Sequence, residues 1–219
     1  MNRDEVRACI ADVGILPAIR AASSEDAVYA VASISTGGIP IVEITLTVPG
    51  AVDLIAQLRR TQPALVAGAG TVLTLDQARQ SLDAGALFLS SPGFDPEIVA
   101  LAQTRGVAVI PGALTPTEVT HAWKSGADFV KVYPCAPVGG ASYIRALRRP
   151  FPHVRLIASG GVNQHTAGDF IQAGAVALGI GAELIPPDAI ERRQTDRIHE
   201  LARRFLHMVQ HARRHPGIG

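Results

Sequence analysis

One pattern recurs eight times along this chain of 219 residues and restricts its possible folds more than any other feature. Each repeat contains a short apolar or β-branched run, a turn rich in Gly, Pro, Ser or Thr, and a longer stretch with helical periodicity. Strands joined through helices must run parallel, because the helix provides the crossover connection. Eight such units predict an α/β fold, a single-domain (β/α)8 TIM barrel with an N-terminal helix. An open doubly wound sheet is the alternative.

The predicted strands are the eight apolar runs, which cover residues 15–20, 40–47, 65–72, 87–92, 107–114, 129–134, 155–161 and 175–182. Helix starts are predicted where a side-chain oxygen can accept hydrogen bonds from free amides, or where a proline suits the first turn. These positions are Ser23-Ser24, Thr74, Asp95-Pro96, Thr115-Pro116 and Asn163. Glycine-containing breaks at 37–38, 84–86 and 125–127 are expected to end helices.

No linker or change of composition divides the chain, so residues 1–219 are predicted to form one barrel domain. The segment from about residue 207 to residue 219 is predicted to be a frayed tail. His207, His211 and His215 recur there at helical spacing. We interpret them as a solvated helix face rather than as a metal site.

Charge and hydropathy limit the partners of the protein. Twenty basic and nineteen acidic residues give a formal net charge of +1, so neither nucleic acid nor an anionic membrane surface is favoured. No segment approaches the roughly 20 uninterrupted apolar residues that span a bilayer, and we expect a cytoplasmic protein with a small-molecule ligand. Cys9 and Cys135 lack ligand-like spacing, so neither a disulfide nor a bound metal is predicted.

Two ionisable side chains interrupt predicted strands that are otherwise apolar. In IVEITLT, the alternation of side chains places Glu43 on the same face as Thr45 and Thr47. In FVKVYP, Lys131 shares a face with Tyr133. Burying either charge without a partner is costly, and barrel enzymes place catalytic groups at the carboxyl ends of their strands. Glu43 and Lys131 are therefore the candidate catalytic residues, with a structural ion pair as the alternative interpretation.

A buried lysine suits covalent chemistry with a ketone. An apolar environment favours the neutral amine, which can attack a 2-keto acid and form an imine. The protonated imine withdraws electrons and stabilises the enamine that remains when an adjacent carbon–carbon bond breaks. A nearby carboxylate suits the accompanying proton transfers, and this chemistry requires no metal ion or cofactor. These residues predict a Schiff-base aldolase with Lys131 as nucleophile and Glu43 as acid–base group.

A series of motifs extends over nearly the whole chain: VEITLTVPGA, GAGTVL, SPGFDPE, IPGALTPTE, FVKVYP, SGGV and GIGAELIP. In their order and spacing, the chain resembles the bacterial 2-keto-3-deoxy-6-phosphogluconate (KDPG) / 4-hydroxy-2-oxoglutarate (KHG) aldolases, which are class I, Schiff-base enzymes. The resemblance implies that Lys131 forms the Schiff base and that Glu43 shuttles protons. It also implies that Thr71 contacts the pyruvate carboxylate and that Pro92 and Tyr133 line the pocket. Alternatively, Thr71 caps a turn and Pro92 ends a strand.

The chain departs from the family pattern where a carboxylate is bound. Many members have an arginine at the position of Thr47. Arg20, at the end of the first predicted strand, resembles the arginine of a second branch of the family, and its fork of donors suits a carboxylate. A salt bridge to an acid at the rim is the alternative role. Ser159 occupies a position where KDPG-cleaving members tend to have threonine and members acting on the galactonate epimer have valine, so its hydroxyl favours KDPG.

Two glycine-rich segments, SGG and GIGA, occupy the loops after the predicted seventh and eighth strands. Barrel enzymes often bind phosphate in these loops through backbone amides. Gly160, Gly161, Gly181 and Ala182 are therefore the candidate phosphate-binding residues, while a plain turn is the alternative role of each glycine. Ala182 stands where the family often has a phosphate-binding serine, so weaker phosphate binding is expected.

The resemblance implies cleavage of KDPG to pyruvate and glyceraldehyde 3-phosphate, with cleavage of KHG to pyruvate and glyoxylate as a further activity. One alternative is an aldolase for the galactonate epimer or for an unphosphorylated 2-keto-3-deoxy acid. The other is a barrel that binds a sugar phosphate without catalysis. Family members are commonly homotrimers and serve the Entner–Doudoroff pathway, so a homotrimer is expected.

Overall fold

The computed structural model describes residues 1–215, in which nine strand segments form one all-parallel sheet. The segments are β1 (Ile15–Ile19), β2 (Ile41–Thr45), β3 (Val66–Gly70), β4 (Phe88–Ser90), β5 (Ala108–Ile110), β6 (Gly112–Ala113), β7 (Val130–Val132), β8 (Leu156–Ser159) and β9 (Ala177–Ile180). Neighbouring strands follow the order β5-β4-β3-β2-β1-β9-β8-β7-β6. The first strand therefore pairs with both the second and the last, as a barrel requires and an open doubly wound sheet does not.

The ring closes through a broken strand. The predicted strand over 107–114 is not continuous, because β5 ends at Ile110 and β6 begins at Gly112. Pro111 between them has no amide hydrogen and cannot donate to a ladder. Its carbonyl still accepts a hydrogen bond of 2.9 Å from the Lys131 amide. Since β5 pairs with β4 and β6 pairs with β7, the nine segments form an eight-membered barrel.

Ten α-helices connect or flank the strands of the described residues, and a short 3-10 helix (Ala136–Val138) follows β7. The α-helices are α1 (Arg3–Val13), α2 (Ser24–Thr36), α3 (Ala51–Thr61), α4 (Leu75–Asp83), α5 (Pro96–Thr104), α6 (Pro116–Lys124), α7 (Ala141–Arg148), α8 (Ala167–Gln172), α9 (Pro187–Glu191) and α10 (Thr195–Arg214), within the described residues 1–215. The predicted N-caps accept hydrogen bonds from first-turn amides at Ser23, Thr74, Asp95 and Thr115. The predicted breaks are confirmed as well, since Gly37, Ala84 and Ser125 follow the last residues of their helices.

The predicted helix start at Asn163 is wrong by several residues. Helix α8 begins at Ala167, with Thr166 in the N-cap position. The Asn163 side chain instead accepts hydrogen bonds from the amides of His165 and Thr166, at 2.8 and 3.1 Å. This is a local turn formed by an asparagine side chain, which competes with helix formation for the same amides.

The predicted frayed tail is also wrong for most of its length, because α10 continues through Arg214. Val209 and Ala212 are buried against the barrel. The Arg213 guanidinium donates to the carbonyls of Ala11 and Val176, at 2.6 and 2.9 Å. These contacts fix the end of the helix, and residues 216–219 of the predicted tail lie outside the described part of the chain.

Helix α1 lies at the amino-terminal end of the barrel, where Arg3 contacts the segment before β7. Asp128, just before β7, is 2% exposed and accepts hydrogen bonds from Arg3 Nε at 3.0 and 3.1 Å. The same carboxylate accepts a bond of 2.8 Å from the Val109 amide in β5. A buried carboxylate needs such partners, so this cluster attaches α1 to two strands.

The strands end earlier than predicted, so several predicted strand residues lie in the loops that follow. Thr71, after β3, has φ 57°, a left-handed conformation that is unusual for a β-branched residue. Gly160 and Gly161, after β8, have φ of 84° and 85°. These conformations end the extended ladders. Because all strands run parallel, the loops that follow them lie at one end of the barrel.

Candidate active site

Lys131 lies in the middle of β7, where Gly112 and Ile157 are its partners in the neighbouring strands. The residue is 7% exposed. Its Nζ donates a hydrogen bond of 2.7 Å to Oγ of Ser90. The nearest carboxylate oxygen, Oε1 of Glu43, is 4.0 Å from Nζ. The amine therefore has a neutral short-range partner and a charged partner just beyond hydrogen-bonding distance.

Glu43 lies in β2, in register with Ala18 on β1 and Gly68 on β3, and is 4% exposed. Its side chain extends across Gly70, the last residue of β3. A Cβ atom at position 70 would stand 2.1 Å from Glu43 Oε1, a distance that no real side chain occupies. Gly70 thus provides the space that the carboxylate fills. Alternation along the strand predicted the position of Glu43 but not this role of Gly70. A glycine inside an otherwise regular strand can indicate such a close approach.

The sequence interpretation also missed Ser90. This residue ends β4 and is 1% exposed, and its hydroxyl is the group closest to the lysine amine. The available signal was the alternation in LFLSSP, which puts Phe88 and Ser90 on one face and would place a hydroxyl inside the barrel. Sequence alone did not say which of two adjacent serines faces inward. The next residue, Ser91, instead donates to the Gly93 carbonyl at 2.6 Å.

Three candidate pyruvate-binding residues follow strands at the same end of the barrel as the lysine. Thr71 is partly buried in its left-handed conformation. Backbone strain of this kind, which costs on the order of 1–3 kcal/mol, is characteristic of functional sites. Tyr133 follows β7, and its ring centroid is 6.0 Å from Lys131 Nζ. The tyrosine ring is therefore close enough to form a wall beside the amine.

Pro92 lies in a loop that is held against the broken strand. The Ser91 amide donates to the Ile110 carbonyl at 3.2 Å, and the Gly112 amide donates to the Gly93 carbonyl at 3.1 Å. A Cβ atom at Gly112 would stand 2.0 Å from the Pro92 carbonyl oxygen. The close approach of these two backbones needs a glycine at position 112 and fixes Pro92 at the rim.

Arg20 and Thr47 line one cleft of about 620 Å³ together with Asp26 and Glu191. Arg20 is exposed and forms no salt bridge with any acid of residues 1–215. Asp26, one of the two acids in this cleft, pairs with Arg193 instead, at 2.9 Å. The guanidinium of Arg20 is therefore available to an anionic ligand, which argues against a purely structural role.

Within the described residues, the two glycine-rich loops present backbone amides that find no protein acceptor. Across residues 1–215, the amides of Gly160, Gly161, Gly181 and Ala182 donate to no backbone or side-chain oxygen. Gly161 is required by its positive φ and by space, since a Cβ atom would stand 2.2 Å from that of Ala136. Gly181 has neither constraint. Turn geometry therefore does not explain why residue 181 is a glycine.

Ser159 is the last residue of β8 and pairs with Gly179 on β9. A Cβ atom at Gly179 would stand 2.7 Å from Ser159 Oγ, so this glycine accommodates the hydroxyl. The Ser159 carbonyl accepts a bond of 2.9 Å from the Cys135 amide, which joins the loops after β7 and β8. Burial raises the pKa of the Cys135 thiol to about 11, so the cysteine acts as a packing residue rather than as a nucleophile.

Other classes of site find little support in residues 1–215. No three His, Cys, Asp or Glu side chains among them are arranged to hold a metal ion. His207 and His211 are exposed on α10 and His215 is exposed just after it, with the rings of His211 and His215 4.3 Å apart. Among these same residues, no helix combines the length and apolar character needed to cross a membrane.

A closed parallel barrel that buries a lysine beside a carboxylate defines a TIM-barrel enzyme with an amine at its centre. Residues 6–201 match the family model described as KDPG and KHG aldolase. The 2-dehydro-3-deoxy-phosphogluconate aldolase of Treponema pallidum is 34% identical over 197 residues, which are 90% of this chain and 94% of that protein. The KHG/KDPG aldolase of Escherichia coli K12 is 32% identical, over 86% of this chain and 89% of that protein.

A solved structure extends the match to three dimensions. The KDPG aldolase of Legionella pneumophila, with pyruvate captured as a covalent carbinolamine intermediate, is 30% identical and superposes with a TM-score of 0.84. The match covers 90% of this chain and 96% of that one. The chain belongs to the KDPG and KHG aldolase family.

Proposed function

We propose that the protein is a class I aldolase that cleaves KDPG to pyruvate and glyceraldehyde 3-phosphate, and KHG to pyruvate and glyoxylate. The observation that carries the proposal is the buried Lys131 amine 4.0 Å from Oε1 of Glu43. Membership of the family, and the carbinolamine named for the Legionella relative, support the same chemistry.

Lys131 acts as the nucleophile in the first half of the reaction. The lone pair of its neutral amine attacks C2 of the keto acid and forms a carbinolamine. Glu43 transfers the protons that convert the former carbonyl oxygen into water, which departs as the iminium forms. The 4.0 Å separation between Nζ and Oε1 leaves the carboxylate beside the position where that oxygen would lie.

The iminium then accepts electrons from the C3–C4 bond. As this bond breaks, the C4 hydroxyl loses its proton to Glu43, the aldehyde departs, and the pyruvate portion becomes an enamine on Lys131. Glu43 returns the proton to C3. Water hydrolyses the iminium, releasing pyruvate and regenerating the amine. One carboxylate can perform each step, because donation and acceptance alternate.

The remaining residues bind the ends of the substrate. Thr71, Pro92 and Tyr133 surround the pyruvate portion, and Arg20 replaces the carboxylate-binding arginine that many relatives have at the position of Thr47. The amides of Gly160, Gly161, Gly181 and Ala182 hold the phosphate. Their lack of acceptors across residues 1–215 supports this assignment, since free backbone donors suit an anion.

The lack of a hydroxyl at Ala182 favours a second candidate substrate, an unphosphorylated 2-keto-3-deoxy acid. Ser159 bears on the choice between KDPG and its galactonate epimer. Comparing kcat/KM for these three acids with that for KHG separates the alternatives. We expect KDPG to have the highest value, and a higher value for an unphosphorylated acid would make that acid the substrate.

Borohydride trapping with pyruvate tests the mechanism directly. The chain has two lysines, Lys131 and the exposed Lys124 at the end of α6, so peptide mass spectrometry can assign an adduct without ambiguity. We expect a pyruvate adduct on Lys131 in the wild type and in Lys124→Ala, and none in Lys131→Ala. No adduct at all, or one at Lys124, would contradict the aldolase proposal and favour a barrel that binds sugar phosphates without catalysis.

The proposal includes a cytoplasmic homotrimer, as is common in the family. Light scattering after size-exclusion chromatography should give three times the 23.0 kDa mass of one chain. A monomeric or dimeric mass would contradict the trimer. Cell fractionation tests the location.

A further inference from the structure

Ser90 is the polar group closest to the lysine amine, and the proposed mechanism gives it no role. Its hydroxyl is 2.7 Å from Lys131 Nζ, while the Glu43 carboxylate is 4.0 Å away. All three side chains are buried. A long flexible lysine beside a buried carboxylate would be expected to form the shorter bond with the opposite charge. Here it forms that bond with a neutral hydroxyl instead.

We propose that Ser90 is a positioning residue, which holds the Lys131 amine away from Glu43 so that the amine can attack and the carboxylate can transfer protons. The proposal rests on the proposed Schiff-base function of Lys131. A tight ion pair would stabilise the ammonium form and close the space that the reacting carbonyl oxygen needs. A bond to serine stabilises the ammonium form less, since a hydroxyl carries no charge, and it leaves that space open.

The chemistry of a hydroxyl suits this role in both states of the amine. Ser90 Oγ can accept a hydrogen bond from the ammonium group, and in the structure it accepts one of 2.7 Å from Nζ. Within residues 1–215 the hydroxyl donates to no other group, so its own proton is free to bond to the lone pair of the neutral amine. Ser90 can therefore keep Nζ in place while the lysine gains or loses its proton.

The backbone keeps Ser90 in position. Residue 90 ends β4 in register with Ile110 on β5, and the next amide, that of Ser91, donates to the Ile110 carbonyl at 3.2 Å. The hydroxyl thus projects from a strand held on its carboxyl-terminal side. The Ser90 hydroxyl approaches Nζ from β4, whereas the Glu43 carboxylate approaches it from β2. The amine therefore lies between two groups that separate strands hold in place.

The test measures the rate of imine formation with pyruvate as a function of pH, by timed borohydride trapping and mass spectrometry of the Lys131 peptide. We expect Ser90→Ala to slow trapping at neutral pH about tenfold, because a rise of one unit in the pH of half-maximal rate lowers the fraction of reactive neutral amine tenfold. The pH of half-maximal rate should rise by about one unit, because Nζ then moves toward Glu43 and is held as the ammonium. Ser90→Thr keeps the hydroxyl and should restore both values.

Ser81→Ala is the matched control, since Ser81 is a fully buried serine whose hydroxyl bonds to the Gln77 carbonyl within α4. It should trap pyruvate like the wild type. Thermal unfolding checks that every variant is folded at the assay temperature. An unchanged rate and pH profile in Ser90→Ala, or equal losses in Ser90→Ala and Ser90→Thr, would overturn the positioning role. If the wild type itself gives no adduct, the proposed function fails instead.

Discussion

Two groups of buried charge lie in this barrel, one at its amino-terminal end and one in its interior. Asp128 accepts hydrogen bonds from Arg3 and from the Val109 amide, at 3.0 and 2.8 Å. Lys131 and Glu43 stand 4.0 Å apart, and the amine bonds to a serine. A charge cluster that holds a structure together uses its hydrogen-bonding capacity, whereas a reactive pair must leave some of it for the substrate. The comparison predicts that substitutions in the Asp128 cluster lower stability, whereas substitutions of Lys131 or Glu43 lower activity.

Lys131→Met should have the largest effect on activity. We expect cleavage of KDPG to fall by at least about 10⁴-fold, since the nucleophile is lost. Stability should fall by less than the about 3–5 kcal/mol that breaking a hydrogen-bonded buried pair costs, because no hydrogen bond joins Lys131 to Glu43 and the amine no longer has to be desolvated. Coupled detection of pyruvate measures the first effect, and urea unfolding measures the second. A loss of several kcal/mol of stability would mean that Lys131 belongs to a structural pair.

Glu43→Gln should reduce kcat by about 10²- to 10⁴-fold, the usual contribution of a general acid–base group. The amide fills the space over Gly70 that the carboxylate occupies, so the fold should persist. The lysine remains, and borohydride should still trap pyruvate on it, although more slowly than in the wild type. Activity within a few-fold of the wild type would show that another group transfers the protons.

Asp128→Ala is expected to lower stability and to leave activity unchanged. Removing one partner of a buried pair costs about 3–5 kcal/mol, and we expect about 3 kcal/mol because the arginine side chains that remain are about one third exposed. The kcat of the folded protein should match the wild type, since Asp128 lies at the end of the barrel opposite the substrate loops. Urea unfolding and steady-state kinetics check both parts. A stable but inactive variant would contradict this division.

The sequence was sufficient to predict the elements that depend on local periodicity. Glu43 and Lys131 emerged from alternation within single strands, and the caps at Thr74 and Thr115 emerged from side chains next to helical segments. Ser90 did not, because its importance depends on a contact with a residue 41 positions away. No periodic pattern contains that information.

Two other errors have different origins, one local and one tertiary. Pro111 was placed inside a continuous strand although it cannot donate to a ladder, and the structure divides the strand at that residue. The helical tail was underestimated because the contacts of Arg213 with Ala11 and Val176 join distant parts of the chain. Helix propensity and charge give no measure of such tertiary contacts.

The smallest predicted effect comes from the two arginines of α1, which form a matched pair beside Asp128. Their side chains are 31% and 32% exposed. Arg3 donates through Nε to both carboxylate oxygens and also bonds to the Gly126 carbonyl at 3.2 Å. Arg7 Nε is 3.3 Å from the same carboxylate, yet it is buried and has no hydrogen-bond partner among residues 1–215.

If hydrogen bonding rather than proximity of charge makes this cluster structural, the two substitutions should differ. Arg3→Ala should destabilise the protein by about 1–2 kcal/mol, the contribution of hydrogen bonds to a charged group discounted for partial exposure. Arg7→Ala should cost less than about 0.5 kcal/mol, because Arg7 makes no hydrogen bond to the Asp128 carboxylate and its bond of 2.8 Å to Asp4 lies at the exposed surface. Urea midpoints at equal m-values provide the comparison. Equal losses of stability in the two variants would show that Coulombic attraction alone stabilises the Asp128 cluster. The cluster would then differ from the Lys131–Glu43 pair in the distance between the charges and not in how fully their hydrogen bonds are formed.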